Sequence, residues 1–185
     1  MYSKRIGLMV AGVLGFLILI FAISMMVSYN NLVDKDEKID ESISQIQIRL
    51  TENDDKIGTM IDIIGDLEAY SVEIYTLVTQ ARADYVGSQN SEDVADLGEL
   101  GELQTYLALE MLQIIEDNDL VDAGTAYNNL LQEVSAMQSA ISQSRRDYNQ
   151  AILAYNRAVR RFPGILYANM FGFDEAESYW DEPAE

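Results

Sequence analysis

The chain contains no cysteine and no histidine. The first absence excludes disulfides, a thiol nucleophile and thiolate metal sites, and it leaves the redox compartment unmarked. The second removes the commonest general base and the commonest transition-metal ligand. Proline occurs only twice, so long helices can run uninterrupted. Basic residues are scarce too: beyond Lys4 and Arg5, ten of them face 31 acidic ones, so the chain from Ser28 onward stands at −21. Such a body is repelled by nucleic-acid phosphates and by anionic surfaces. No nucleic-acid partner is expected.

These absences bear directly on chemistry. No nucleophile–base set can be assembled from this composition. Paired carboxylates such as Asp54–Asp55 and Glu92–Asp93 are neighbours in sequence and point different ways on a helix. The expectation is a protein that is not an enzyme, with no catalytic residue, no cofactor and no small-molecule substrate. Asp117, Asp119 and Asp122 cluster in a turn and could hold a cation. They do not form the twelve-residue calcium loop, whose glycine is misplaced here and whose terminal glutamate is missing. No metal ligand is assigned, and an envelope sensor or cation-binding domain using the acidic turn 117–122 stands as the alternative reading.

What the sequence does have begins at its N-terminus. Ile6 to Val27 is an uncharged run of 22 residues, and a bilayer core takes about 20 apolar residues as helix. The run continues through Met25, Met26 and Val27, past the weak small-residue site Ala22-x-Ser24. That length favours an uncleaved anchor over a removed secretory signal. Lys4 and Arg5 precede the span closely, whereas Lys35 and Lys38 follow at a distance, which orients the N-terminus to the cytoplasm and the body outside or in the periplasm.

The body reads as helices. Leu32, Ile39, Ile43, Ile46, Leu50, Ile57, Met60, Ile64 and Leu67 form a seam with spacings near 3.5, broken by polar Asn53. The seam continues through Val72, Tyr75, Val78 and Tyr85 to Gly87. The polar stretch Asn53–Gly58 leaves open whether residues 30–86 form one kinked helix or two. Ser91 is a plausible cap for a second helix through Leu97, Leu100, Leu103, Leu107 and Met111, in which Gly98 and Gly101 cost about 1 kcal/mol each relative to alanine. A third runs from about Asp122 to Phe162 through Tyr127, Leu130, Leu131, Val134, Met137, Ile141, Tyr148, Ile152, Tyr155 and Val159, and Pro163 ends it. No strand pattern is present. The fold class expected is all-α: a single N-terminal transmembrane helix (1–28), an antiparallel bundle of three or four long helices (29–163) and a short apolar, aromatic tail (164–185).

The most distinctive stretch is Arg145–Phe173. Tyr148-Asn149 and Tyr155-Asn156 lie seven residues apart, two turns of helix, and therefore share a face. Asparagine is a poor helix-interior residue, so its repetition suggests side-chain bonds across helices or to a helix end. Arg145, Arg146, Arg157, Arg160 and Arg161 either pair with the acidic helices or dock a carboxylate-rich partner. The apolar tail either folds back or presents a patch to a partner or the membrane interface, and Trp180 among acidic neighbours looks frayed.

These residues resemble the LemA family of bacterial membrane-anchored proteins. The resemblance rests on Tyr29-Asn30-Asn31-Leu32-Val33 directly after the span, on Val78-Thr79-Gln80-Ala81-Arg82, and above all on the C-terminal block. There Arg145, Tyr148-Asn149, Tyr155-Asn156, Phe162-Pro163 and Gly172-Phe173 recur in the family's order. The family's basic pair and proline around Glu52–Met60 are missing, although Asp55 and Ile57 match. The resemblance implies an all-helical bundle on an N-terminal anchor. The candidates for interaction are therefore Tyr29, Asn30, Arg82, Arg145, Tyr148, Asn149, Tyr155, Asn156, Phe162, Pro163, Gly172 and Phe173. The function expected is a membrane-anchored scaffold of the cell envelope, with protein partners that include further copies of itself.

Overall fold

A computed structural model describes residues 2–65, 76, 79–80, 83, 93–116, 125–176 and 180. Among these residues the chain is all-α, with four helices: α1 (Tyr2–Gly65), α2 (Val94–Glu116), α3 (Thr125–Arg160) and α4 (Gly164–Phe171). The polar stretch Asn53–Gly58 is helical and lies within α1, so no loop divides the chain there. Asn53 stays in the seam as a buried residue, and its helical neighbours hold their own backbone through Thr51 and Thr59 hydroxyls donated to the carbonyls four residues back. The seam residues Leu67, Val72, Tyr75, Val78 and Tyr85, together with Arg82, Ser91 and the acidic turn 117–122, lie outside the described residues.

The apolar segment of α1 is long and apolar enough to cross a membrane, and none of its most apolar window is buried by the rest of the chain. A helix that is hydrophobic all round either hides in a large core or lies in lipid. Among the described residues only the Tyr167 ring edge touches this run, at Phe21, and buries none of that window, so the membrane is the environment that its surface fits.

The chain divides into two compact units, one formed by 1–39 and 150–177, the other by 40–149 and 178–185. In the second, Ile57 and Met60 of α1 meet Leu107, Ala108, Met111 and Leu112 of α2 and Leu130, Val134 and Met137 of α3. Lower in the seam, Gly101 lets α2 approach Leu50 and Ile141; a Cβ there would lie 3.4 Å from each. Rising numbers on α1 thus match rising numbers on α2 and falling numbers on α3, which therefore runs antiparallel to both. The buried α3 positions Leu130, Val134, Met137, Ile141, Ser144 and Tyr148 alternate steps of four and three, the spacing that keeps one stripe facing its neighbours. Leu131, one residue off that stripe, is exposed. Gln104 crosses the core to donate to the Leu50 carbonyl at 3.0 Å.

Asp93 caps α2: its Oδ1 accepts from the Ala95 amide at 2.9 Å. An acidic cap also suits the positive end of the helix dipole.

In the first unit, Leu32 of α1, Tyr155 and Val159 of α3 and Ala168 of α4 form the core, with Ile39, Ala158 and Phe173 packed against it. α3 ends at Arg160, two residues short of the expected end, and Pro163 stands at the start of α4. The corner between them is tight enough to require glycine. A Cβ on Gly164 would lie 2.0 Å from the Ala158 carbonyl oxygen. Gly172 ends α4 with φ +80°, a left-handed cap that returns its amide to Ala168. The apolar tail thus folds back, as an eight-residue helix.

Candidate functional site

The two asparagines of α3 are held by main chain. Asn149 donates its Nδ2 to the Trp180 carbonyl at 2.9 Å and accepts the Trp180 amide on Oδ1 at 2.9 Å. Asn156 does the same to residue 176, donating at 2.8 Å and accepting at 2.9 Å. A carboxamide carries one acceptor and two donors in a plane, so it matches the amide and carbonyl of one extended residue as a second strand would. The partners are the tail's backbone, where the sequence suggested another helix or a helix end.

Around each clamp the neighbouring motif residues complete a socket. In the second unit, Arg145 lies over the Trp180 ring, with its guanidinium carbon 5.3 Å from the centroid, and pairs with Glu102 at 3.5 Å. Gly98 leaves the space into which the indole fits, since a Cβ there would lie 2.7 Å from Trp180 Nε1. Trp180 is accordingly buried; the frayed end suggested by its acidic neighbours is corrected by a partner 31 residues upstream. Gly98 and Gly101, which weaken α2 locally, make room for Trp180 and for Leu50 and Ile141 respectively. Tyr148 is buried beside this socket, and burial first, then the Asp93 charge, raises its pKa above the usual 10.0.

In the first unit, Tyr155 donates its hydroxyl to the Asp174 carbonyl at 2.8 Å. Its pKa is raised as well, by burial and then by the charges of Asp36 and Asp174. Arg160 pairs with Glu175, and the hydrogen bond it donates lowers the Glu175 pKa. Tyr29 meets the Phe171 ring edge-on at 4.9 Å and the Phe173 ring at 5.9 Å. Asn30 is exposed, Phe162 is highly exposed and Pro163 is half-buried.

The structure therefore sorts the twelve sequence candidates. Arg145, Tyr148 and Asn149 gather at Trp180 in one unit. Tyr29, Tyr155, Asn156, Gly172 and Phe173 gather around the start of the tail in the other. Asn30 and Phe162 face outward, Pro163 stands half-buried at the start of α4, and Arg82 is not among the described residues. Of the arginines, Arg145 and Arg160 are paired with carboxylates inside the chain, while Arg146 donates to Gln143 at 2.8 Å. Sequence reasoning missed Trp180, Glu175 and Gln104. The signal for the first was the repeated asparagine on one helix face, whose carboxamides must be satisfied by something. Among the described residues no group of three or more Asp or Glu side chains is placed to hold a metal ion.

Such an arrangement, a solvent-facing apolar N-terminal helix in an all-α chain whose α3 grips the tail, defines a membrane-associated helical protein. The chain belongs to the LemA family, whose model matches residues 42–185. The match takes in both Tyr-Asn pairs; the Tyr29–Val33 motif lies ahead of it. Among curated proteins the chain is similar to Magnetosome protein MamQ 2 and Magnetosome protein MamQ 1 of Paramagnetospirillum magneticum. Each is 20% identical over 201 aligned residues, covering 96% of this chain and 73% of the relative. Magnetosome protein MamQ of Magnetospirillum gryphiswaldense is 18% identical, over 89% of this chain and 69% of its own length.

Proposed function

We propose that the chain is a non-enzymatic scaffold of the cell envelope, anchored by a single span with its N-terminus in the cytoplasm and its body outside or in the periplasm. Residues 1–28 serve as anchor, 29–163 as bundle and 164–185 as a tail that bundle side chains retain. The motif residues shape the inside of the protein, and partners dock on helical faces elsewhere. The observation that supports this most is a groove of about 510 Å³ between α2 and α3, floored by Gly101, Thr105, Ile141 and Ser142. Tyr106 and Leu109 stand on its rim, 50% and 44% exposed. A groove over Gly101 with Tyr106 and Leu109 along its α2 side accepts the side-chain ridge of a further helix, and Glu102, Gln138 and Arg145 supply polar groups around it. A second copy of the chain or a helix of another envelope protein fits it. The MamQ relatives are named for the magnetosome, and work at a specialised assembly of this kind belongs to the same reading.

A photo-crosslinking residue at Tyr106 in intact cells tests it, with one at exposed Glu37 as control. The expected result is a discrete adduct at Tyr106, either the dimer mass or one envelope protein, that the control lacks. Equal, diffuse labelling at both positions overturns the scaffold reading.

A further inference from the structure

The first unit carries a second concavity, unrelated to the asparagine clamps. It has a volume of about 520 Å³ and is lined on one side by Val27, Ser28 and Asn31 of α1 and on the other by Arg157 of α3 and by Arg161 just past its end. Its position along α1 is informative. Val27 is the last residue of the uncharged run and Ser28 the first beyond it, so the pocket opens where a spanning helix would leave the hydrocarbon.

Three further observations bear on what fills it. The stretch Tyr148–Phe173 contains three arginines and no carboxylate, in a chain that is otherwise strongly acidic. Of those arginines, Arg160 is paired with Glu175, whereas Arg157 and Arg161 are exposed and line the pocket. Then α4, which starts at the pocket wall with Gly164, reaches down into the apolar belt of α1: the Tyr167 ring meets the Phe21 ring edge-on at 5.5 Å. Finally, α4 turns Ile165, Leu166 and Met170 outward, all more than half exposed, and Phe162 at the corner is 77% exposed. An uncharged helix at that depth, apolar on its outer side and beside guanidinium groups, has the composition of an interfacial element.

We infer that this pocket receives the phosphate of an anionic phospholipid in the leaflet from which α1 emerges. Arg157 and Arg161 supply the countercharge in the paired donor geometry that suits phosphate, and Ser28 and Asn31 supply neutral hydrogen-bonding groups. Ile165, Leu166, Met170 and Phe162 lie among the upper acyl chains. The body's net charge of −21 does not oppose this contact, because at physiological salt a charge is felt over about 8 Å. The pocket's own lining holds both arginines and no carboxylate. The inference rests on α1 spanning the bilayer.

The full chain is reconstituted into nanodiscs of phosphatidylcholine with a minor share of phosphatidylglycerol, and the lipids it retains are counted by native mass spectrometry. The wild type is expected to retain phosphatidylglycerol well beyond its share of the bilayer. That preference falls roughly fivefold for each arginine in Arg157→Gln and Arg161→Gln, and it fades as salt is raised. Arg146→Gln, in the other unit, leaves it unchanged. Retention in proportion to the bilayer, or an unchanged preference in the double variant, overturns the proposal. Should the double variant lose its helical circular dichroism, the wild-type preference and its salt dependence decide alone. Release of the wild type from membranes by alkaline carbonate marks the separate failure of the spanning reading.

Discussion

The carboxamide of Asn149 and the backbone of Trp180 exchange two hydrogen bonds, both 2.9 Å long. Asn156 and Ala176 repeat the exchange. In each, a helix side chain satisfies both polar groups of a residue that belongs to no secondary structure, and main-chain groups beside a packed surface cannot be left unpaired without cost.

Asn156 is nearly fully buried, so its removal strands the Ala176 amide and carbonyl. Asn156→Ala is expected to lower stability by about 1–3 kcal/mol. Asn156→Asp keeps the shape but turns an acceptor toward the Ala176 carbonyl, and should cost at least as much. Denaturant unfolding in detergent, followed by circular dichroism, measures both.

Trp180 is the chain's single tryptophan, so its emission reports on its own socket. A methyl group at Gly98 would lie 2.7 Å from Nε1 and must displace the indole. Gly98→Ala should shift emission to the red even though alanine favours the helix by about 1 kcal/mol. Arg145→Ala should shift it in the same direction by uncovering the ring, and Arg146→Ala should not.

Asn53 sits in the α1 seam with its Nδ2 buried and, among the described residues, without a partner. Leucine there removes an unsatisfied donor and continues the apolar stripe. Asn53→Leu is expected to raise stability by about 1 kcal/mol or more, read as a higher unfolding midpoint with the same helical content. A fall would show that the carboxamide is satisfied after all.

Alkaline pH should act through two tyrosines. Tyr148 and Tyr155 have folded pKa values above the ordinary 10.0, so the unfolded chain releases these protons first. Their contribution is fully present below pH 10 and is lost as pH rises through the folded values. Glu175 works in the opposite sense: its lowered pKa contributes above the ordinary 4.5 and is lost on acidification. Midpoints measured across pH 9 to 12 should fall, and Tyr155→Phe should fall less steeply from a lower starting point.

Much of this architecture was legible in advance because it is periodic. The seam through Ile46, Leu50, Ile57 and Met60 and the stripe from Leu130 to Tyr148 could be read from spacing alone, since a helix repeats its environment every three or four residues. Asn149 and Asn156 were legible as anomalies, polar side chains recurring on a buried stripe. Their partners were not. Main-chain groups of an irregular segment leave no periodic trace, and the acidic surroundings of Trp180 suggest solvent when read locally.

Because the clamps hold peptide groups, they impose nothing on the residues whose backbone they grip. Ala176 can be exchanged for any residue but proline with both of its bonds intact, whereas Asn156 cannot be exchanged without losing one of them. Homologous chains should therefore diverge along the tail while keeping the helix that reads it, and the mark of this contact is to be sought on the holder and not on the held.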